Sequence, residues 1–278
     1  MQRIFIFLFV ISVSSVNAQN LHVNLFGGLS NYNGDLQPKK LSLKGVQPAF
    51  GAGLLYEITD RFTARLMFTH GTLKAADANS PYNKDRNLSF SSPINEGSLG
   101  IEYDILNLYE TNITPYLFAG IAVYHFNPSA IDTNGTKVLL QPLGTEGQGF
   151  YLNRQKYSLT QLSLPIGGGI KLALTPNVRL RAEAGLRKLF TDYLDDVSTT
   201  YADKDELLLN NGAKAVELAF RGGEIKQGFV YPPAGTIRGN PKSKDWYYFA
   251  GLAVSFRIQS EYGSHSGKSQ LGCPLPVY

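Results

Sequence analysis

The chain has 278 residues, a net charge of +4 and one cysteine, Cys273. That length suits one large β domain or barrel, the charge is too small to argue for nucleic acid or another polyanionic partner, and a lone cysteine excludes an internal disulfide framework. Beyond residues 1–18, no apolar stretch approaches the ~18 residues that a membrane helix needs, so a membrane crossing here would have to be made by strands.

Residues 1–18 read as a secretory signal peptide. Arg3 supplies the positive start, Ile4 to Ile11 is an unbroken apolar run, and Val16-Asn17-Ala18 fits a small-x-small cleavage site, with Gln19 first in the mature chain. The residue directly after Ala18 is Gln19 and not a cysteine, so a lipid anchor is not indicated. Without Arg3 the net charge drops by one, from +4 to +3.

Eight stretches then alternate with period 2 and read as strands. The first, 21–29, puts Leu21, Val23 and Leu25 on one face. The second, 50–58, puts Phe50, Ala52, Leu54, Tyr56 and Ile58 outward. In the third, 61–70, Phe62, Ala64, Leu66 and Phe68 face out against Arg61, Thr63, Arg65 and Thr69. The fourth, 95–105, sets Leu99, Ile101, Tyr103 and Ile105 against Glu96, Ser98, Glu102 and Asp104. The fifth, 114–126, is apolar on both faces and does not orient itself. The sixth and seventh, 161–172 and 178–187, form a hairpin around Thr175-Pro176-Asn177, where proline presets the turn. Its apolar face carries no ion, while its polar face carries Lys171, Arg179, Arg181, Glu183 and Arg187. The eighth, 244–258, sets Trp246, Tyr248, Ala250, Leu252, Val254, Phe256 and Ile258 against Asp245, Tyr247, Gly251, Ser255 and Arg257.

Strands of about 10 residues, apolar on one side and polar on the other, match a transmembrane β-barrel. The connections agree. Thr59-Asp60, 106–113 and Thr175-Pro176-Asn177 are short, whereas 30–49, 71–94, 127–156 and 188–243 are long. Short turns on the periplasmic side and long loops outside is the outer-membrane rule. The expected fold is therefore an all-β, eight-stranded antiparallel transmembrane β-barrel in outer-membrane lipid, spanning 19–258, with a periplasmic tail at 259–278. Tyr56, Phe62, Tyr103, Tyr116 and Phe256 fall near the short-turn ends, and Phe50, Phe68, Tyr124, Phe126, Trp246 and Tyr248 near the long-loop ends. They are expected as two interfacial girdles.

Eight strands leave an interior only wide enough for side chains. Arg61, Arg65, Glu96, Glu102, Asp104, Lys171, Arg179, Arg181, Glu183, Arg187 and Arg257 are expected to pack there as a self-neutralising plug. Buried charges must be paired, since an unpaired one costs several kcal/mol.

The loops hold little chemistry. Gly144-Thr145-Glu146-Gly147-Gln148-Gly149 lacks the Lys and Ser or Thr that close a phosphate loop, and its glycines are expected in turns. Asp192, Asp195 and Asp196 do not follow calcium-loop spacing. Residues 203–220 read as short surface helices broken at Asn210-Asn211-Gly212, with Leu207, Leu208, Val216 and Leu218 needing cover. His70 and His125 sit at long-loop ends with no Ser or Cys placed beside them. The chain therefore reads as a non-enzyme with no cofactor and no metal.

Five phrases carry a family likeness: Asn31-Tyr32-Asn33-Gly34-Asp35, Tyr116-Leu117-Phe118-Ala119-Gly120-Ile121, Phe126-Asn127-Pro128, Pro142-Leu143-Gly144-Thr145-Glu146-Gly147-Gln148-Gly149 and Thr191-Asp192-Tyr193-Leu194-Asp195-Asp196-Val197-Ser198. Together the chain up to Ile258 resembles the PorG-like outer-membrane barrels of Bacteroidetes, which are associated with the type IX secretion system. The resemblance implies a membrane component that contacts periplasmic secretion-ring proteins. The alternative is an adhesin-like barrel that binds through its long loops. On the periplasmic side, Leu108 and Tyr109 in the longest short turn are the expected partner contact, because apolar groups there would otherwise face water.

Overall fold

The computed structural model describes residues 20–37, 42, 44–79, 83–225 and 228–258. The expected signal peptide and the expected tail lie outside the described residues.

Eight long strands form the barrel: β1 Leu21–Asn33, β2 Gln47–Glu57, β3 Phe62–Ala76, β4 Ser89–Asp104, β5 Ile113–Phe126, β6 Thr160–Thr175, β7 Val178–Leu189 and β8 Trp246–Arg257. Each pairs antiparallel with its neighbours in sequence, and β1 pairs with β8 to close the ring. Closure is what lipid demands, since an open sheet edge would leave unpaired backbone groups in hydrocarbon.

The outer face is apolar all the way round. Leu25, Phe50, Leu66, Leu99, Ile121, Leu162, Ile166 and Leu252 are all more than half exposed. Within the described strands, exposed charge appears on this face only at Lys74 and Lys188, both toward the long-loop end. Phe62, Tyr103 and Phe256 are exposed at the short-turn rim, with Phe50 and Phe68 exposed at the other. Tyr116, Tyr124 and Phe126, expected in those girdles, point inward instead and are buried.

That reversal orients β5. Thr114, Tyr116, Phe118, Ala122, Tyr124 and Phe126 line the lumen, while Leu117, Ile121 and Val123 face out. Its inner face looks apolar because rings there meet the cations of other strands. The Arg65 guanidinium lies 4.2 Å from the Phe118 ring centroid, and that of Arg181 4.7 Å from Tyr116. Desolvated cation–π pairs of this kind contribute about 2 kcal/mol.

The long-loop end is built up well beyond the membrane. β3 and β4 continue as a two-stranded arm in which Thr72 to Ala76 pair only with β4. A small hairpin, Ser129–Ile131 with Lys137–Leu139, joins that arm through Ser91 and Ser129. The last long loop carries helices α1 Lys204–Asn211 and α2 Ala213–Ala219. Asp203 caps α1 by accepting from the amides of Asp205 and Glu206. Gly212, at φ 86, makes the break between the helices. Leu207, Ala215 and Ala219 are buried in a small core of their own, whereas Leu208 is exposed.

Candidate functional site

The lumen is filled by a ladder of ion pairs. At its centre Glu102, fully buried, receives Arg181 at 2.5 Å, Arg65 at 3.0 Å and Lys171 at 3.0 Å. Lys171 also holds Asp104 at 2.6 Å. Arg65 reaches Glu183 at 3.2 Å, and the Tyr116 hydroxyl donates to Glu183 at 2.7 Å. Toward the long loops, Arg187 grips both oxygens of Glu96, and the Tyr247 hydroxyl donates to Glu96 at 2.6 Å. Inward strand positions hold every one of these groups. A void beside Arg65, Phe118 and Arg187 measures about 10 Å³, too small for more than a single water.

Arg61 departs from the expectation. It is exposed at the turn before β3, where the chain has already left the lumen, and its carbonyl accepts from the Asp104 amide. Glu57, on the inward parity of β2, takes a place in the plug that sequence reasoning overlooked. Its carboxylate pairs with Arg179, lies 3.4 Å from Arg257 and 3.5 Å from His22, and accepts from the Tyr109 hydroxyl at 2.7 Å. The parity of Phe50 to Ile58 was the signal that could have found it.

The long loops fold inward as a cap. The Tyr32 hydroxyl donates to Asp195 at 2.5 Å and lies 3.3 Å from Asp245, whose other oxygen accepts from the Leu194 amide. Asp196 accepts from Thr145 at 2.6 Å and from Tyr157 at 2.7 Å. Glu146 accepts from the amides of Ser198 and Thr199 and from Arg238 at 2.9 Å. Asp192 is held by Ser198 and Lys244. Below them a column of rings runs from Tyr247 through Tyr124, Phe126 and Tyr157 to Tyr193, with successive centroids 4.9 to 6.0 Å apart.

Four of the five phrases quoted above therefore meet in one buried knot. The glycine-rich loop turns at Gly144, Gly147 and Gly149, all at positive φ, and aims a carboxylate inward. That excludes a phosphate cradle there. The three loop aspartates point to separate partners, and among the described residues no group of acids, histidines or cysteines is arranged to hold a metal. Burial pushes the carboxyls of Asp35 and Asp196 up to about 6. Burial, and then a neighbouring carboxylate, raises Asp195 and Asp245 as well.

The short-turn mouth is different. Leu108, expected as a contact, is only 7% exposed, so it belongs to the rim packing. Tyr109 is exposed, but its hydroxyl is already committed to Glu57 and accepts from Arg257 at 2.8 Å. Beside it opens a groove of about 330 Å³ lined by Leu108, Tyr109, Leu174, Pro176, Arg179 and Arg257.

The sequence model of a family described as a domain of unknown function (DUF6089) matches residues 2–216. No curated protein sequence matches the chain. Among solved structures, Neisserial surface protein A is similar at a TM-score of 0.42 and 14% identity, over 86% of this chain and 97% of that one. The attachment invasion locus protein of Yersinia pestis, solved in complex with the heparin analogue sucrose octasulfate, is similar at 0.41 and 11%, over 86% and 97%. The outer membrane protein OprG from Pseudomonas aeruginosa is similar at 0.41 and 9%, over 86% and 98%.

Proposed function

The chain belongs to the DUF6089 family, and from that premise and the geometry of its barrel we propose that it is an outer-membrane component of the type IX protein secretion machinery, holding periplasmic ring proteins through its short-turn end. What supports this reading is the contrast between the two ends. The long-loop phrases that resemble PorG-like barrels are consumed in internal hydrogen bonds, as Tyr32 with Asp195 and Thr145 with Asp196 illustrate. The lumen is filled, so cargo cannot pass through it. The groove at Tyr109, Leu174 and Arg257 is left facing the periplasm.

The test is co-purification under mild solubilisation, together with a cargo-export assay. Ring proteins should accompany the barrel. Export should fall when Leu174 and Pro176 at the groove are made acidic, with outer-membrane levels unchanged. A wild-type preparation free of ring proteins, in cells that export normally without the barrel, would remove the reading.

One observation favours a second reading, surface binding through the long loops. Leu152, Leu209, Val230 and Ile237 on the cap are between 78% and 99% exposed. Apolar groups outside the lipid belt can mark contact surfaces. Changing Leu152 and Leu209 to serine should then abolish attachment to a surface ligand while leaving export intact.

A further inference from the structure

Among the described residues the acids of the lumen each have a cation of their own, and one cation is left over. Glu96 holds Arg187, Glu102 holds Arg181, Glu183 holds Arg65, Asp104 holds Lys171 and Glu57 holds Arg179. Arg257 has, among the described residues, only a share of Glu57, at 3.4 Å. Its Nε is buried and has no hydrogen-bond partner among the described residues. A guanidinium with four-fifths of its side chain buried and no counter-charge of its own is a costly arrangement unless something else completes it.

The surplus lies at the periplasmic mouth. Arg179 and Arg257 face inward from β7 and β8, away from lipid, and form the basic side of the groove. Leu108, Tyr109, Leu174 and Pro176 form its apolar side. A volume of about 330 Å³ holds one or two side chains and excludes a folded domain. The occupant must therefore be a protruding segment, anionic at one point and apolar beside it. Guanidinium groups favour carboxylates because their donors match both oxygens.

We propose that this groove binds an aspartate or glutamate on an extended segment of a periplasmic partner protein, with Arg257 taking the carboxylate and Leu174 and Tyr109 taking the neighbouring apolar residue. The inference rests on the reading that partners approach from the periplasm and adds the chemistry they bring. The carboxylate replaces the missing counter-charge, while Glu57 stays with Arg179.

The test uses the full mature chain in detergent micelles and two fluorescent peptides, Gly-Leu-Glu-Leu-Gly-Gly and its glutamine counterpart. Anisotropy should show the acidic peptide binding about tenfold more tightly. Arg257→Gln should erase that preference. Leu174→Asp should weaken the acidic peptide without Arg257 being touched, and both variants should keep the heat-dependent gel shift of a folded barrel. Equal binding of the two peptides, binding of neither, or an unchanged preference in Arg257→Gln overturns the proposal. Displacement of the peptide by phosphatidylglycerol micelles at equal concentration would assign the groove to lipid headgroups and overturn it also. So would a chain ending at Ile258 that binds where the full chain does not, because residues 259–278 would then be the occupant. A peptide preference without ring-protein co-purification removes the secretion reading and leaves the groove standing. Ring-protein co-purification without a preference does the reverse.

Discussion

Tyr32 at the top of β1 donates a hydrogen bond from its hydroxyl to Asp195, 163 positions later, at 2.5 Å. This bond joins the first long loop to the last and fixes the centre of the cap. Tyr32→Phe keeps the ring and its edge-on contact with Phe90, 5.0 Å between centroids, but takes the donor away. Asp195 then keeps the amides of Val197 and Leu36. The expected cost to the cap is about 1–3 kcal/mol, the penalty for leaving a buried acceptor short of a partner. Limited proteolysis should cut near residues 190–198 sooner in the variant, while the barrel strands stay protected. Equal cutting rates would mean the hydroxyl is not holding the loop.

The cap should loosen as pH rises. Asp35 and Asp196 are pushed up to about 6 by burial, and Asp195 and Asp245 are raised by burial and by facing other carboxylates. Each folded value lies above the ordinary carboxylate range, so the folded cap binds protons more tightly than the unfolded loop does. Its stability is then fully present below about pH 4 and falls as pH climbs through 6 and beyond. Arg86 and Arg238 offset part of this, while Glu146 and Asp192 add to it. Hydrogen exchange of residues 190–200, corrected for the intrinsic rate, should show more opening at pH 8 than at pH 5. Asp245→Asn should flatten the dependence. Greater opening at pH 5 would reverse the sign and defeat the argument.

How much of this could be read from the residues depends on what encodes it. Barrel strands repeat every two residues, so one parity error would expose Glu102 or bury Leu99, and the pattern admits only one register. β5 escaped because its inner positions carry Phe118 and Tyr116, whose partners are arginines on other strands. Leu108 escaped because a turn residue has no period to say which way it faces. The cap escaped almost wholly. Its bonds join residues such as Thr145 and Asp196, 51 positions apart, and nothing local distinguishes an aspartate bound for the interior from one bound for water.

The plug should be stable as pairs and fragile as singles. Glu102→Gln leaves Arg181, fully buried, without its main counter-charge. Removing one partner of a buried pair costs about 3–5 kcal/mol, whereas replacing both by apolar groups of similar volume is often neutral. Glu102→Gln should therefore lower the urea midpoint of the barrel in micelles strongly. Adding Arg181→Met to Glu102→Leu should bring it most of the way back, although Arg65 and Lys171 also lean on Glu102 and will keep part of the loss. In planar bilayers the wild-type barrel should give no steady conductance. A reproducible open pore would contradict the filled lumen.

One tight fit in the lumen is the Phe118 ring against two paired glycines. Gly167 and Gly185 lie opposite each other on β6 and β7, and a Cβ on either would come within 2.6 Å of the tip of that ring. On Gly185 it would also meet the Arg187 guanidinium at 2.8 Å. The glycines therefore leave room for the ring that Arg65 stacks on, at 4.2 Å. Gly185→Ala should cost about 1–3 kcal/mol, as overpacking does in a filled interior. Arg187 can swing only by giving up Glu96, so the ring has to move. Gly27→Ala and Gly97→Ala, where nothing lies within 4 Å of the added carbon, are the matched controls and should fall within about 1 kcal/mol of wild type. If Phe118→Leu restores Gly185→Ala while costing the wild-type chain its cation–π contact, the collision is between those two side chains. If it does not, the strain lies in the backbone of β7 and the ring is a bystander.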